Sequence, residues 1–246
     1  CGEYKKTHGK SLVDVFDFHW YPQGEIKGQT PYLGRGMDPK LNEYRLRSTR
    51  DLWDPAYTPE SWTRHTAGGG ATMLLRKIRG WIEKHNPGME LSVGEYNFGG
   101  ADNISGALAQ ADTFGILARE KTDMAFIWST PEGTQELAWK LFRNYDGVGG
   151  RFGDRYIPSQ SNHADVSVYT AKRSRDGATT IILVNKNLGA ACDFKLNTEC
   201  KGNMRVYRFD QETDGKVSED LCEAKKVAGN ISLKLPAASA TLLVIE

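Results

Sequence analysis

Glu95 is the residue of this sequence best placed to do chemistry. It closes the apolar run in "ELSVGEYNFGG", which extends from Glu90 to Gly100, and Tyr96 and Asn97 follow at once. Burying a carboxylate at the end of a strand costs free energy of folding, unless the carboxylate is paired with another group or serves in binding or catalysis. We therefore interpret Glu95 as a catalytic carboxylate. The competing interpretation is an ion pair with a buried arginine, such as Arg47, Arg50 or Arg79.

Two other apolar runs end in residues suited to the same site. "LVDVFDFHWYPQG" passes from a strand into His19, Trp20 and Tyr21, and "DMAFIWS" ends at Trp128. Aromatic rings stack on sugar faces, and polar side chains take up sugar hydroxyls. The pattern predicts a carbohydrate cleft, in which His19 either contacts sugar or orients a carboxylate. Asp17 is interpreted as a supporting hydrogen-bond partner.

The elements that position these residues alternate between strands and helices. The first 150 residues are predicted as strand, loop, helix, strand, helix, strand, helix, with an irregular section from Gly24 to Thr66. This order predicts parallel strands joined by crossover helices. The three functional strand ends then meet at one edge, as at the mouth of a (β/α)₈ barrel.

The final third of the chain has a different pattern. Six short β-rich runs are separated by turn signals, which predicts an antiparallel β-sandwich. The runs are "VSVYTAK", "TTIILVNK", "CDFKL", "MRVYRFD", "ISLKLP" and "ATLLVIE". We expect one domain over residues 1–158 and the sandwich over residues 159–246.

Composition excludes several classes of function. Among the 246 residues, 32 Lys and Arg nearly balance 31 Asp and Glu, for a net charge of +1. The chain therefore lacks the basic surface expected for nucleic acid or an anionic membrane. It also has no apolar run of the ~18 residues that span a bilayer.

The sequence calls for no cofactor. The glycine-rich "GGGAT" lacks the lysine of a phosphate-binding loop, and no His-Glu-x-x-His pattern indicates catalytic zinc. A structural calcium ion remains compatible with the sequence. Cys192, Cys200 and Cys222 are either free thiols or contain a disulfide, and both interpretations stay open.

Long motifs spread over residues 10 to 246 resemble the C-terminal half of glycoside hydrolase family 44. They are "DVFDFHWYPQ", "TRDLWDPAYTPESW", "LSVGEYNFGG", "MAFIWST", "LFRNYDGVGGRFGD" and "VSVYTAKRSRDGATTIILVNK". The family consists of retaining endo-β-1,4-glucanases, several also acting on xyloglucan or xylan. The resemblance implies the C-terminal part of a TIM (β/α)₈ barrel, with strands six to eight, followed by a β-sandwich.

The resemblance also assigns roles to residues. Glu95 matches the family's nucleophile at the end of the seventh barrel strand. Trp53 matches the loop after the sixth strand. The residues implied to bind substrate are Trp128, Tyr96, Asn97, His19, Trp20, Tyr21 and Trp53. Three of them have an alternative role: Trp20 and Trp128 as core aromatics, and Trp53 as a residue that fastens the long loop.

The sequence departs from the family at the second catalytic carboxyl group. The family's acid/base lies in an Asn-Glu-Pro segment on the fourth strand, and no "NEP" occurs here. Three parallel strands also cannot close a barrel. We therefore expect the other half to come from a longer polypeptide or a second chain, and the 246 residues alone to be inactive.

The expected partner is a β-glucan polysaccharide or oligosaccharide, and the resemblance implies a secreted enzyme. Two alternatives remain at this point. One is a non-catalytic carbohydrate-binding protein, and the other is a related barrel hydrolase acting on arabinose or xylose side chains.

Overall fold

The computed structural model describes residues 2–36, 38–198, 202–213, 215–219, 225–227 and 229–246. Three parallel strands form its first sheet, in the order β1, β2, β3. They are β1 (Val15–Trp20), β2 (Glu90–Tyr96) and β3 (Met124–Ile127). The predicted parallel pairing is confirmed. In the described part of the chain, β1 and β3 each have one strand neighbour, so this sheet is open.

Helices connect and cover these strands. They are α1 (Gly2–His8), α2 (Pro39–Ser48), α3 (Thr63–Thr66), α4 (Leu74–His85), α5 (Ile104–Arg119) and α6 (Glu136–Arg143). The section predicted as irregular thus contains the ten-residue helix α2. The start of α2 is marked by local sequence. The Asp38 side chain caps the helix by accepting a hydrogen bond from the Lys40 backbone N–H at 2.9 Å, and Pro39 is the first helical residue.

The helix α5 is buried on nearly all sides, because it lies between the parallel sheet and the C-terminal part of the chain. Asn103 caps its start by accepting from the Ser105 N–H at 2.9 Å. Near its end, a Cβ added to Gly115 would lie 2.2 Å from the ring of Tyr169. The glycine therefore permits the close approach of α5 to that ring.

The described residues of the C-terminal part form two antiparallel sheets. One has the order β4, β5, β6, β12, β8, β9, and the other has the order β10, β11, β7. The strands are β4 (Arg155–Ile157), β5 (Val166–Lys172), β6 (Thr179–Asn185), β7 (Cys192–Asn197), β8 (Met204–Phe209), β9 (Ser218–Glu219), β10 (Lys225–Val227), β11 (Asn230–Leu235) and β12 (Ser239–Ile245). The six predicted β-rich runs all form strands. Strand β4, which ends at Ile157 just before the predicted boundary at residues 158 and 159, pairs with β5.

Among the residues that the structure describes, two apolar cores stabilise the fold. One lies between the two antiparallel sheets and includes Val168, Phe194 and Leu233. The other runs from β2 and α5 into the six-stranded sheet, where it includes Tyr169 and Phe209. The parallel sheet and the sandwich are therefore joined by continuous packing rather than by a linker alone.

Within the described ranges, no helix is long and apolar enough to cross a membrane. Cys192 is half-buried at the start of β7. Cys200 and Cys222 lie outside the described residues, so both interpretations, free thiols and a disulfide, stay open.

Candidate active site

An extra residue in β2 decides which side of the sheet Glu95 faces. Phe18 lies opposite Val93, but the next residue of β1, His19, lies opposite Glu95, so Gly94 is bulged out of the pairing. The β2 to β3 register shifts at the same place. Successive strand residues face opposite sides, and one inserted residue reverses the alternation. The bulge thus places Glu95 on the same side as His19.

Two predicted residues, Tyr21 and His19, contact the carboxylate of Glu95. The Tyr21 hydroxyl donates a 3.0 Å hydrogen bond to Oε2, and His19 Nδ1 lies 3.1 Å from the same oxygen. The Glu95 side chain is 27% exposed. Its Oε1 accepts no hydrogen bond from the described residues. One oxygen is therefore held, and the other is available to a ligand.

The Tyr21 hydroxyl is a hydrogen-bond donor that keeps its proton in this arrangement. Burial, followed by the hydrogen bond to Glu95 and the charge of that carboxylate, raises the pKa of Tyr21 to about 12. The phenol therefore stays protonated at neutral pH. The ring of Tyr32 lies 5.0 Å from the Tyr21 ring, centroid to centroid, and supports it from the following loop.

Asp17 completes the row of polar side chains. Its Oδ2 lies 4.0 Å from His19 Nε2, so the imidazole stands between the carboxylates of Asp17 and Glu95. A Cβ added to Gly94 would lie 2.3 Å from this Asp17 oxygen. The glycine therefore both forms the bulge and leaves room for Asp17.

Asn97 and Trp128 form the adjoining rim. The Asn97 side chain donates to the Trp128 carbonyl at 2.9 Å and accepts from the Gly99 N–H at 2.8 Å and Gln135 Nε2 at 3.0 Å. Its polar atoms are occupied in joining the ends of β2 and β3. The Trp128 side chain is 59% exposed and is free to receive a flat apolar ligand face.

Trp20 and Tyr96, both predicted to line the cleft, lie on the other side of the sheet. They are paired with each other in register, one residue beyond His19 and Glu95, and are 6% and 2% exposed. Trp20 packs near Phe98, and the Tyr96 hydroxyl accepts a hydrogen bond from Gln110 of α5 at 2.8 Å. Strand alternation, which directs Glu95 into the cleft, directs these two rings into the core.

The structure does not bring Trp53 to Glu95 either. The Arg119 guanidinium carbon lies 3.7 Å from the Trp53 ring centroid, at the final residue of α5. Glu95 lies toward the opposite end of that helix, which has 16 residues and a length of about 24 Å. Trp53 stabilises the junction with the sandwich instead.

The arginines considered as ion-pair partners bond elsewhere. Arg47 pairs with Glu60, Arg50 with Asp54, and Arg79 with Asp123. Glu95 is therefore not locked to any of them. No group of three or more His, Cys, Asp or Glu side chains arranged for a metal ion occurs in the described ranges.

Three residues of the site were not found from the sequence: Gly94, Tyr32 and Gln135. An isolated glycine inside a strand pattern does signal a bulge, so Gly94 could have been recognised. Tyr32 and Gln135 reach the site from distant loops, and their contacts span 11 and 38 positions in sequence, respectively. No local pattern reports such contacts.

Comparison with known proteins gives matches over nearly the whole chain. Endoglucanase A from Paenibacillus lautus is 32% identical over 256 aligned residues, which cover 99% of this chain and 36% of that protein. A bifunctional glucanase-xylanase from a metagenome library is 33% identical with a TM-score of 0.88, covering 99% of this chain and 46% of its own. No family model matches the chain.

A third match carries the family name. The glycoside hydrolase family 44 endoglucanase from Clostridium thermocellum is 30% identical with a TM-score of 0.88, over 100% of this chain and 49% of its own. The chain thus spans about half the length of these solved structures. With this identity and a shared backbone over its full length, the chain belongs to glycoside hydrolase family 44.

Proposed function

We propose that this chain provides the nucleophile of a retaining, endo-acting β-1,4-glucan hydrolase. The observation that carries the proposal is the unequal use of the two Glu95 oxygens. Oε2 is held by Tyr21 and His19, whereas Oε1 has no partner in the described part of the chain. A carboxylate oriented through one oxygen presents the other to an electrophilic carbon.

In the proposed reaction, Glu95 Oε1 forms a bond to the anomeric carbon while the glycosidic C–O bond breaks. The departing oxygen takes a proton from a second carboxyl group, which in retaining enzymes lies about 5 to 5.5 Å from the nucleophile. Water then attacks the same carbon, gives its proton to that second group and releases Glu95. Tyr21 and His19 hold the carboxylate in position through both steps.

We propose that the second carboxyl group comes from outside residues 1–246, on the rest of a (β/α)₈ barrel in which β1, β2 and β3 are strands six to eight. The open edges of β1 and β3 are compatible with further strands. Asp17 is the other carboxylate in this row, but it lies beside His19 and over Gly94, which suits a supporting role.

The substrate proposed is a β-glucan of the cellulose, xyloglucan or xylan class, acted on outside the cell. The exposed Trp128 ring supports this choice, because apolar sugar faces stack on indole. The relatives' names, endoglucanase and glucanase-xylanase, support the same class.

Replacing Glu95 by Gln in the complete enzyme tests the proposal. We expect kcat/KM on carboxymethylcellulose and xyloglucan to fall by about 10³-fold or more, because the amide is a poor nucleophile. Glu90→Gln is the matched control: it makes the same change at the exposed first residue of β2 and should leave activity near that of wild type.

A Glu95→Ala variant supplied with azide reports the role directly. A lost nucleophile is replaced by azide to give the α-glycosyl azide, whereas a lost acid/base gives the β-anomer. Full activity of Glu95→Gln would contradict the proposal. Retention of wild-type enzyme in glucan gels with no release of reducing sugar would instead favour a binding protein.

A further inference from the structure

Arg45 is a buried cation that the proposed reaction does not use. It lies in α2 with 0% of its surface exposed, and it contacts no carboxylate in the described part of the chain. Burial lowers the pKa of Arg45 to about 10, so the guanidinium remains charged at neutral pH. A buried charge without a counter-ion is costly and requires compensating hydrogen bonds.

Five acceptors surround the guanidinium. Two are side chains near the starts of helices, and three are backbone carbonyls from two loops. Nη1 donates to Asn42 Oδ1 at 2.6 Å and to Ser105 Oγ at 2.7 Å. The carbonyls are those of Phe98, which accepts from Nε at 2.6 Å, and of Pro31 and Gly34, which accept from Nη2 at 3.1 and 3.3 Å.

The two loops close tightly around Arg45. The Gly100 N–H donates to the Gly34 carbonyl at 3.0 Å. A Cβ added to Gly99 would lie 2.2 Å from the Pro31 oxygen, and one added to Gly100 would lie 2.8 Å from the Arg45 guanidinium carbon. Both glycines have positive φ, at 65° and 73°, which side chains disfavour. The backbone is thus shaped to this one side chain.

Both loops lead to Glu95. The Phe98 carbonyl lies three residues beyond Glu95 on the same strand end. Pro31 precedes Tyr32, whose ring packs against Tyr21, the donor to Glu95 Oε2. Arg45 therefore connects the backbone that carries the carboxylate with the loop that supports its hydrogen-bond donor.

We propose that Arg45 is a positioning residue for the glycosylation step, an inference that rests on the proposed function of Glu95. Its guanidinium holds the two loops in register, so that Tyr21 and the Glu95 carboxylate keep the geometry in which Oε1 can attack. Lysine would preserve the charge, but its single nitrogen cannot reach five acceptors in a planar array.

The test uses Arg45→Lys in the complete enzyme and an activated 2-deoxy-2-fluoro-β-cellobioside, which labels a glycosidase nucleophile covalently. We expect the limiting rate of labelling to fall about 10- to 100-fold, with the reagent's binding constant nearly unchanged. The labelled fraction should remain complete. A purely structural role would instead lower the labelled fraction and leave the rate of the folded molecules unchanged.

Arg173→Lys is the matched control. Arg173 is also buried, at 5% exposed, but its partners Tyr145, Asp176 and Glu246 lie away from the cleft. Its labelling rate should stay within about twofold of wild type, since none of these contacts leads to Glu95. An Arg45→Lys rate as close to wild type would overturn the proposal.

Ser105→Ala is a milder second variant, should Arg45→Lys fail to fold. It removes one of the five acceptors, and we expect a labelling rate about threefold below wild type. An unchanged rate in this variant, with Arg45→Lys unfolded, would count against the proposal. Absence of labelling in wild type would reject the proposed function itself, which separates the two failures.

Discussion

Two carboxylates of this chain, Glu95 and Asp112, each accept a hydrogen bond from a tyrosine, yet their surroundings are opposite. Glu95 is partly exposed and keeps Oε1 free. Asp112, in α5, is 1% exposed, and both of its oxygens are bonded. The partners are Tyr169 at 2.7 Å on Oδ1, with Thr49 at 2.7 Å and Lys186 at 3.1 Å on Oδ2. The carboxylate that we propose to react retains an unbonded oxygen, and the one that joins two parts of the molecule does not.

The electrostatics of Asp112 follow from the same contacts. Burial by itself raises its pKa, but the charge of Lys186 and hydrogen bonds from Ser167, Tyr169 and Thr49 outweigh that effect. The pKa of Asp112 is therefore lowered. Its stabilising contribution is present above the unfolded value, near 3.9, and is lost as the pH falls through the lower folded value.

Asp112→Asn should break the junction and give the largest effect on stability. The change leaves the buried Lys186 without a counter-ion, so we expect the free energy of unfolding to fall by about 3 to 5 kcal/mol. Urea unfolding followed by tryptophan fluorescence measures it. The deficit should be present at neutral pH and should shrink as the pH falls below about 4.

An exposed ion pair and the activity of the folded variants serve as controls for Asp112→Asn. Glu136→Gln removes the partner of Lys140 in an exposed pair on α6 and should cost less than about 1 kcal/mol. Folded Asp112→Asn should hydrolyse glucan at the wild-type rate, whereas Glu95→Gln should lose activity and keep its stability. A catalytic defect in folded Asp112→Asn would remove the distinction between the two carboxylates.

Much of the fold could be predicted because strand periodicity is a local signal. The order of β1, β2 and β3, and the six main strands of the sandwich, follow from runs of apolar residues and the turns between them. The helix α2 could not be recognised in this way, because its face is formed by residues such as Tyr44 and Arg45 that find their partners in distant loops. The network around Asp112 joins positions 57 to 74 residues apart and has no local signature either.

The sequence predicted the kinds of residue that form the site, but not which side of the sheet each of them faces. His19, Tyr21 and Glu95 were identified and do meet. Trp20 and Tyr96 were assigned to the same cleft because they stand at strand ends and because the resemblance implies it, although strand alternation sends adjacent residues to opposite sides. The bulge at Gly94 sets that alternation, and its effect depends on the register with β1.

Substitution of Gly115, at the junction with the sandwich, and of Gly94, at the candidate active site, introduces a Cβ at a similarly short distance from a neighbouring side chain. Gly115→Ala places a Cβ 2.2 Å from the buried Tyr169 ring, and Gly94→Ala places one 2.3 Å from the Asp17 carboxylate. The ring cannot move, so Gly115→Ala should lower the free energy of unfolding by about 1 to 3 kcal/mol. The Asp17 carboxylate can turn toward solvent, so Gly94→Ala should cost less than about 1 kcal/mol.

The two variants should rank in the reverse order for loss of activity, with Gly94→Ala losing more than Gly115→Ala. Displaced Asp17 no longer supports His19, so we expect kcat/KM of Gly94→Ala to fall about tenfold. Folded Gly115→Ala should keep the wild-type value. Melting curves and initial rates on the same preparations measure the stability and kcat/KM of both variants. Equal losses of stability would contradict the expectation that the junction is rigid and the Asp17 carboxylate is free to turn.

Tyr21→Phe tests the contribution of a single hydrogen bond at Glu95. It removes the 3.0 Å donor to Glu95 Oε2 and keeps the ring that packs on Tyr32. A hydrogen bond to a charged group contributes about 1.5 kcal/mol or more, so kcat/KM should fall at least about tenfold. Tyr156→Phe, on β4 of the sandwich, is the matched control and should leave kcat/KM unchanged.

The pH dependence distinguishes orientation from proton transfer. Because the pKa of Tyr21 is raised to about 12, the hydroxyl is a donor at every pH well below that value. On the plateau of the pH–rate profile, the loss in Tyr21→Phe should therefore be the same factor at each pH, and both limbs of the profile should persist in the variant. If Tyr21 instead transferred a proton during the reaction, one limb would disappear in the variant, and the phenol would have to be described as an acid or base rather than as the group that holds Glu95 in place.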